Sequence, residues 1–207
     1  MATANRLFQF VFVLFFGTIV LFIILYFPII GAEIKYTLAR KDDVTVIMRG
    51  NPIEGLRRTI VANDTDFGII IPKIGINMSV VANVNPYESY YYKPALKKGV
   101  AHSKGSAFPG KGGNIIIFSH VPGGLFEVQK YNLAFYLINR LEIGDPIFIY
   151  FDGLKYQYNV TGKNVVSDLD VKFEDLSVSP KTELLTIMTL WPPGTSLRRY
   201  VIDAKKV

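Results

Sequence analysis

The chain has no cysteine. That absence removes disulfides, cysteine-ligated zinc and any thiolate nucleophile at one stroke, and it leaves the redox compartment open, because an oxidising location permits disulfides without requiring them. Histidine is nearly as scarce, with His102 and His120 the only imidazoles among 207 residues. Two histidines in no H-E-x-x-H or comparable spacing predict no transition-metal site, and nothing in the sequence calls for a cofactor. Blocks of like charge are missing too. The net charge of +6 is spread over scattered Lys and Arg, which suits an anionic surface such as lipid headgroups or an acidic polymer, and equally a solvated exterior; nucleic acid is not expected as a partner. There is no internal repeat and no low-complexity tract.

What the sequence does have is a long apolar run. From Leu7 to Ala32 no side chain is charged, and a helix of that length would extend about 39 Å at ~1.5 Å per residue, enough to cross a ~30 Å hydrocarbon layer with some tilt. A cleaved signal peptide has a shorter apolar region of ~7 to 15 residues ending at a small-x-small site, which Phe27-Pro28-Ile29-Ile30 is not. The reading is a short tail over 1–6, a transmembrane helix over 7–32, and a single-pass protein of the cell membrane. Flanking charge, Arg6 against Lys35, Arg40 and Lys41, does not fix its orientation, since a long folded domain is translocated largely regardless of such counts.

Residues 33–66 mix charge with Gly50, Pro52 and Gly55 and end in Asn63-Asp64-Thr65-Asp66, the composition of a tether with some local structure. A globular domain is expected over 67–207. Its segments Gly68 to Pro72, Met78 to Ala82, Asn114 to Ser119, Pro146 to Tyr150, Tyr156 to Val166, Leu184 to Leu190 and Arg199 to Ala204 are short, rich in β-branched or aromatic residues, and bounded by turn formers. Tyr156, Tyr158 and Val160 alternate with polar neighbours as one face of a half-exposed strand. Only Asn132 to Leu141 has helical spacing, with Leu133, Tyr136, Leu137 and Leu141 on one side. Seven or eight strands with few helices predict a mostly β barrel or sandwich.

Three places carry polar or special residues at the ends of apolar strands: the segment Asn114 to His120, the segment Leu185 to Thr195, and the segment Arg198 to Ile202. With Ile71-Pro72-Lys73-Ile74-Gly75, Gly99-Val100-Ala101-His102, Pro109-Gly110, Gly113-Asn114 and Leu141-Glu142-Ile143-Gly144-Asp145, they make the domain resemble the sortases, membrane-anchored cysteine transpeptidases of the prokaryotic cell surface, nearest the class D and E kind. The resemblance runs from about Phe67 to Lys205. It implies a closed β-barrel of about eight strands with short helices, an extracytoplasmic domain, and a partner peptide or protein bearing a sorting-type signal.

In that family a strand ending Thr-Leu-x-Thr-Cys presents the nucleophile and an arginine opening the next strand faces it. Here Thr186-Ile187-Met188-Thr189 matches the approach, Pro192-Pro193-Gly194-Thr195 the turn, Arg199 the arginine and His120 the histidine; Leu190 stands where the cysteine belongs. The resemblance gives the imidazole the leaving and entering protons and the guanidinium the developing oxyanion, whereas a leucine has no lone pair to attack with. Loss of a nucleophile from such a unit costs roughly 10⁶-fold in rate. The neighbouring hydroxyls of Thr189 and Ser119 are expected to point away, because successive strand residues face opposite sides; Thr195 and Ser196 could approach but need a base. Arg198 is a rival for the arginine position, and His102 is given no role. Trp191 and Tyr90-Tyr91-Tyr92 read as packing residues or as a peptide-binding wall. The implied function is a pseudoenzyme that binds sorting-signal peptides or regulates an active sortase, against a transpeptidase or hydrolase with another nucleophile, or a structural surface tether.

Overall fold

The computed structural model describes residues 2–38, 45–47, 59–119, 135–167, 182–193 and 195–207. Helix α1 spans Ala2–Leu38. The strands are β1 (Thr45–Ile47), β2 (Thr59–Val61), β3 (Phe67–Ile71), β4 (Ile76–Val84), β5 (Val100–Ser103), β6 (Gly113–Phe118), β7 (Pro146–Phe151), β8 (Leu154–Ser167), β9 (Glu183–Trp191) and β10 (Arg198–Lys206), with helix α2 (Ser89–Leu96) between β4 and β5. Strands β3 to β10 close into an eight-stranded barrel in the order β10-β8-β7-β3-β4-β5-β6-β9, and β1 pairs with β2 apart from it. Of the two architectures the strand pattern allowed, closure selects the barrel.

The barrel interior is filled by every second residue of its strands, among them Ile69, Ile71, Ile115, Ile117, Ile149, Tyr158, Val160, Leu185 and Ile187. That period-two selection is the physical content of the alternation around Tyr158: its ring and Val160 are buried while Gln157 is exposed. β3 is buried along its whole length, because its outward Ile70 is covered by the β1–β2 pair through Val46 and Ile60. Gly68 is fixed by close approach: a Cβ there would collide with the Asp64 carbonyl oxygen. At the β7–β8 turn Asp152 (φ 49°) and Gly153 (φ 76°) both take the left-handed conformation that a two-residue hairpin demands.

Three segments depart from the expectations. Val100–Ser103, not among the expected strands, is a buried strand, too short for its alternation to show. Ser89–Leu96 is a helix with Pro94 inside it; a proline and three consecutive tyrosines hide the helical period. Of the segment expected to be helical from Asn132, residues 132–134 lie outside the described residues; the remainder is a turn leading to a 3-10 turn at Ile138–Arg140, with Phe135, Ile138 and Leu141 buried in the barrel core.

Along α1 the side chains from Phe10 to Ile24, Thr18 apart, are apolar and exposed, for example Phe10 at 66% and Val13 at 68%. Among the described residues no helix is long and apolar enough to cross a membrane; α1 covers the span 7–32 expected to be transmembrane without meeting that measure.

Candidate functional site

The ladder between β9 and β10 sets the site. Leu190 is the direct cross-strand partner of Arg199, Met188 of Val201 and Thr186 of Asp203; partners lie on one face of a sheet with Cα atoms about 4.5–5.5 Å apart. Since Leu185 and Ile187 fill the barrel interior, these even-numbered residues of β9 face outward. Met188 packs there with Leu96, Ala101, Ile116, Phe118 and Val201 in a second apolar cluster under α2. Beyond that cluster opens a cleft of about 180 Å³, lined by Pro86, Tyr92 and Leu96 from α2 and its approach, Phe118 and Ser119 from the end of β6, Met188, Thr189 and Leu190, and Ser196 and Arg199.

Leu190 is therefore not a barrel-core residue. It sits half-buried at the cleft, in register with the guanidinium-bearing residue of the next strand. An Arg199 Nη1–H points to Met188 Sδ at 3.6 Å, a weak donor–acceptor pair that holds the arginine stem along the cleft floor. Arg198, its rival, pairs with Trp191 and is exposed; the register that places Arg199 on the Leu190 face puts Arg198 on the other. His120 lies outside the described residues, one position beyond Ser119.

The hydroxyls near position 190 are differently disposed. Thr189 is only 3% exposed, and among the described residues its Oγ1 has no hydrogen-bond partner, so no base is seen in contact with it there. The Thr195 hydroxyl donates to the Pro192 carbonyl at 2.8 Å and is committed to its turn. Trp191 packs edge-to-face on Tyr200 at 5.2 Å. The tyrosine run divides: Tyr92 lines the cleft, while Tyr90 is 82% exposed.

His102 belongs to the scaffold. It is fully buried; its Nδ1 accepts from the Asn83 N–H at 3.3 Å and its Nε2 lies 2.9 Å from the Ala107 carbonyl, an arrangement that fixes the neutral Nε2–H tautomer. Burial pushes its pKa down, against the Ala107 hydrogen bond that works the other way.

Sequence reasoning overlooked a polar patch on the same outer face. Asn114 Nδ2–H donates to Thr186 Oγ1 at 3.1 Å, and the Thr186 hydroxyl lies 3.2 Å from Asp203 Oδ1. Burial pushes the Asp203 carboxyl up, and the Thr186 contact opposes it. The register alone joins these residues, which no local motif links. Among the described residues no group of three or more His, Asp or Glu could hold a metal ion.

Residues 69–207 match the family model for the sortase domain. Sortase D of Bacillus subtilis (strain 168) is 24% identical over 140 residues, 66% of this chain and 61% of that protein; the chain thus spans about three fifths of its relative's length. The structure of a sortase D5 transpeptidase from Clostridium perfringens is matched with a TM-score of 0.55 at 26% identity, over 72% of this chain and 82% of that one. A likeness of fold alone, at 21% identity and a TM-score of 0.55 over 68% and 69% of the two chains, extends to a sortase C of Clostridium perfringens solved with the C-terminal cell wall sorting motif. With a sortase-domain match over most of its length, a closed eight-stranded barrel and a cleft at the paired ends of β9 and β10, this chain belongs to the sortase family.

Proposed function

We propose that the protein is a single-pass membrane protein whose extracytoplasmic sortase domain binds a peptide bearing a sorting-type signal without cleaving it, and so holds such a protein or regulates an active sortase in the same membrane. The observation that carries this reading is the pairing of Leu190 with Arg199 at the cleft: the position from which relatives attack a carbonyl holds a hydrocarbon, and the cation that would face the substrate oxygen is kept. His120 is assigned the remaining place in this site from its motif. The apolar cleft walls and a guanidinium suit an extended peptide with an apolar side chain and an exposed carbonyl or carboxylate. Anchoring rests on the charge-free stretch from Leu7 to Ala32 and on the exposed apolar side chains it displays along α1, which water would not tolerate as a free helix face.

The test is a titration of the full chain in detergent micelles with fluorescent sorting-signal peptides. Saturable binding tighter than about millimolar is expected, weakened roughly tenfold or more in Arg199→Ala by loss of a charge-assisted hydrogen bond; no saturation, or identical binding by the variant, refutes the reading. Ser196, the described turn hydroxyl at the cleft, is the candidate nucleophile of the enzymatic alternative, beside the Ser119 hydroxyl that also lines it. Incubation with a labelled peptide and an amine acceptor should yield no product above buffer, and product that disappears in Ser196→Ala would establish turnover instead.

A further inference from the structure

The strand directions place the cleft at one particular end of the barrel. β3 ends where antiparallel β7 begins; β8 ends, β10 begins and β9 ends at that same mouth, since each pairs antiparallel with the one before it. β6, parallel to β9, ends there too. Phe118, Leu190, Arg199, Pro146 and Ile71 therefore share one end, and the β7–β8 hairpin at Asp152-Gly153 marks the opposite one.

The same end receives α1. Ala32 and Tyr36 pack against the barrel core beside Tyr136 and Leu141, which precede β7. Glu33 Oε2 lies 3.5 Å from Arg140 Nη2, and the Arg140 guanidinium sits 5.6 Å over the Tyr36 ring. These residues begin at the last position of the apolar stretch, so the barrel contact follows directly on that stretch along α1.

The chemistry of this end agrees. Leu197, 71% exposed, and Ile143, 73% exposed, stand out from it as large apolar side chains. Lys97 and Lys98, just before β5 begins, and Arg198 at the start of β10 are exposed cations, and among the described residues none of them forms an ion pair. Among the described residues, the carboxylates at this end are paired: Asp145 and Glu142 with Lys73 at 2.7 Å each, and Glu33 with Arg140. Protruding apolar side chains and exposed cations at one end are what an interface of anionic headgroups accepts.

From this geometry we infer that the cleft end of the barrel rests on the lipid surface, with Leu197 and Ile143 dipping into the headgroup region and Lys97, Lys98 and Arg198 on anionic headgroups. The inference rests on the membrane anchorage proposed above. It makes the cleft mouth membrane-proximal, so that a ligand enters it along the bilayer rather than from bulk solvent.

The absence of cysteine makes the test direct. Leu197→Cys and Asp152→Cys, both at exposed positions, are labelled with a donor dye, and the full chain is reconstituted in phosphatidylcholine–phosphatidylglycerol vesicles carrying a headgroup acceptor. The two labels are separated by roughly 30 Å along the barrel axis, taking ~3.3 Å per residue and a tilt of about 40° over β8. Energy transfer should be several-fold stronger from position 197 than from position 152. Equal or reversed transfer from a chain that co-floats with the vesicles overturns the docking and leaves the anchor standing, whereas failure to co-float overturns both.

Discussion

At position 190 the proposal of a cleft that binds without cleaving is open to a direct measurement. Because Arg199 faces it across the ladder, a thiol placed there sits beside a fixed cation, which stabilises thiolate. Leu190→Cys is expected to react with iodoacetamide at neutral pH roughly tenfold faster than a free model thiol, as its pKa falls by about one unit or more below ~8.5; reaction at the ordinary rate would mean that the guanidinium does not reach the site. His102 gives a second residue-scale prediction. Burial holds the native imidazole neutral, with its pKa below the unfolded value of ~6.5. Above ~6.5 both states are neutral and the group has no effect on stability. As pH falls below ~6.5 the unfolded chain takes up a proton that the native site resists, so stability drops with acidification until the depressed native pKa is passed. The thermal midpoint of the full chain in micelles, followed through its single tryptophan, should fall more between about pH 7.5 and about 5.5 than that of His102→Gln; parallel slopes would remove His102 as the cause.

Among the elements, the loop from Lys104 to Gly112 is held by one carboxylate at the start of β9. Glu183 Oε2 accepts the backbone N–H groups of Gly110 at 3.0 Å and Gly112 at 3.2 Å. Its Oε1 accepts from the Tyr158 hydroxyl at 2.6 Å and lies 3.2 Å from Lys206 Nζ. Burial works against its charge, but these donors together hold its pKa below the ordinary carboxylate range. The side chain is 7% exposed, so solvent cannot replace what is lost: Glu183→Gln should cost about 1.5–3 kcal/mol in denaturant unfolding, and a neutral result would show the loop is anchored elsewhere. The helix α2 teaches the complementary lesson about legibility. Its tyrosines and Pro94 conceal it from a period count, yet it supplies Tyr92 and Leu96 to the cleft, because Leu96 and Ala95 bury against Met188 and Val201. Tertiary packing, not propensity, makes this stretch helical. Likewise the choice of Arg199 over Arg198 could be suggested by motif spacing, but the register with Leu190 is a property of two strands and is written in neither alone.

On the scale of the whole molecule, the apolar helix and the barrel act together. A lysine at the middle of the apolar stretch, Val20→Lys, raises the cost of insertion by about 2.5–3.5 kcal/mol; the variant should be extracted from membranes by salt or alkali more readily than the parent, which should require detergent, and equal extraction would count against anchorage by α1. Composition decided much by itself: a chain without cysteine cannot perform thiol chemistry in any fold, and period-two alternation settles that the domain is built of strands, because each of these follows from what side chains are, irrespective of where they lie. Closure into a barrel, the outward placement of Leu190 opposite Arg199, the burial of His102, the Asn114–Thr186–Asp203 patch and the common end shared by cleft and α1 were decided only in three dimensions. They depend on strand register and direction, which are set by contacts between residues far apart in the chain, and a single residue of slip would have turned every one of these side chains to the opposite face.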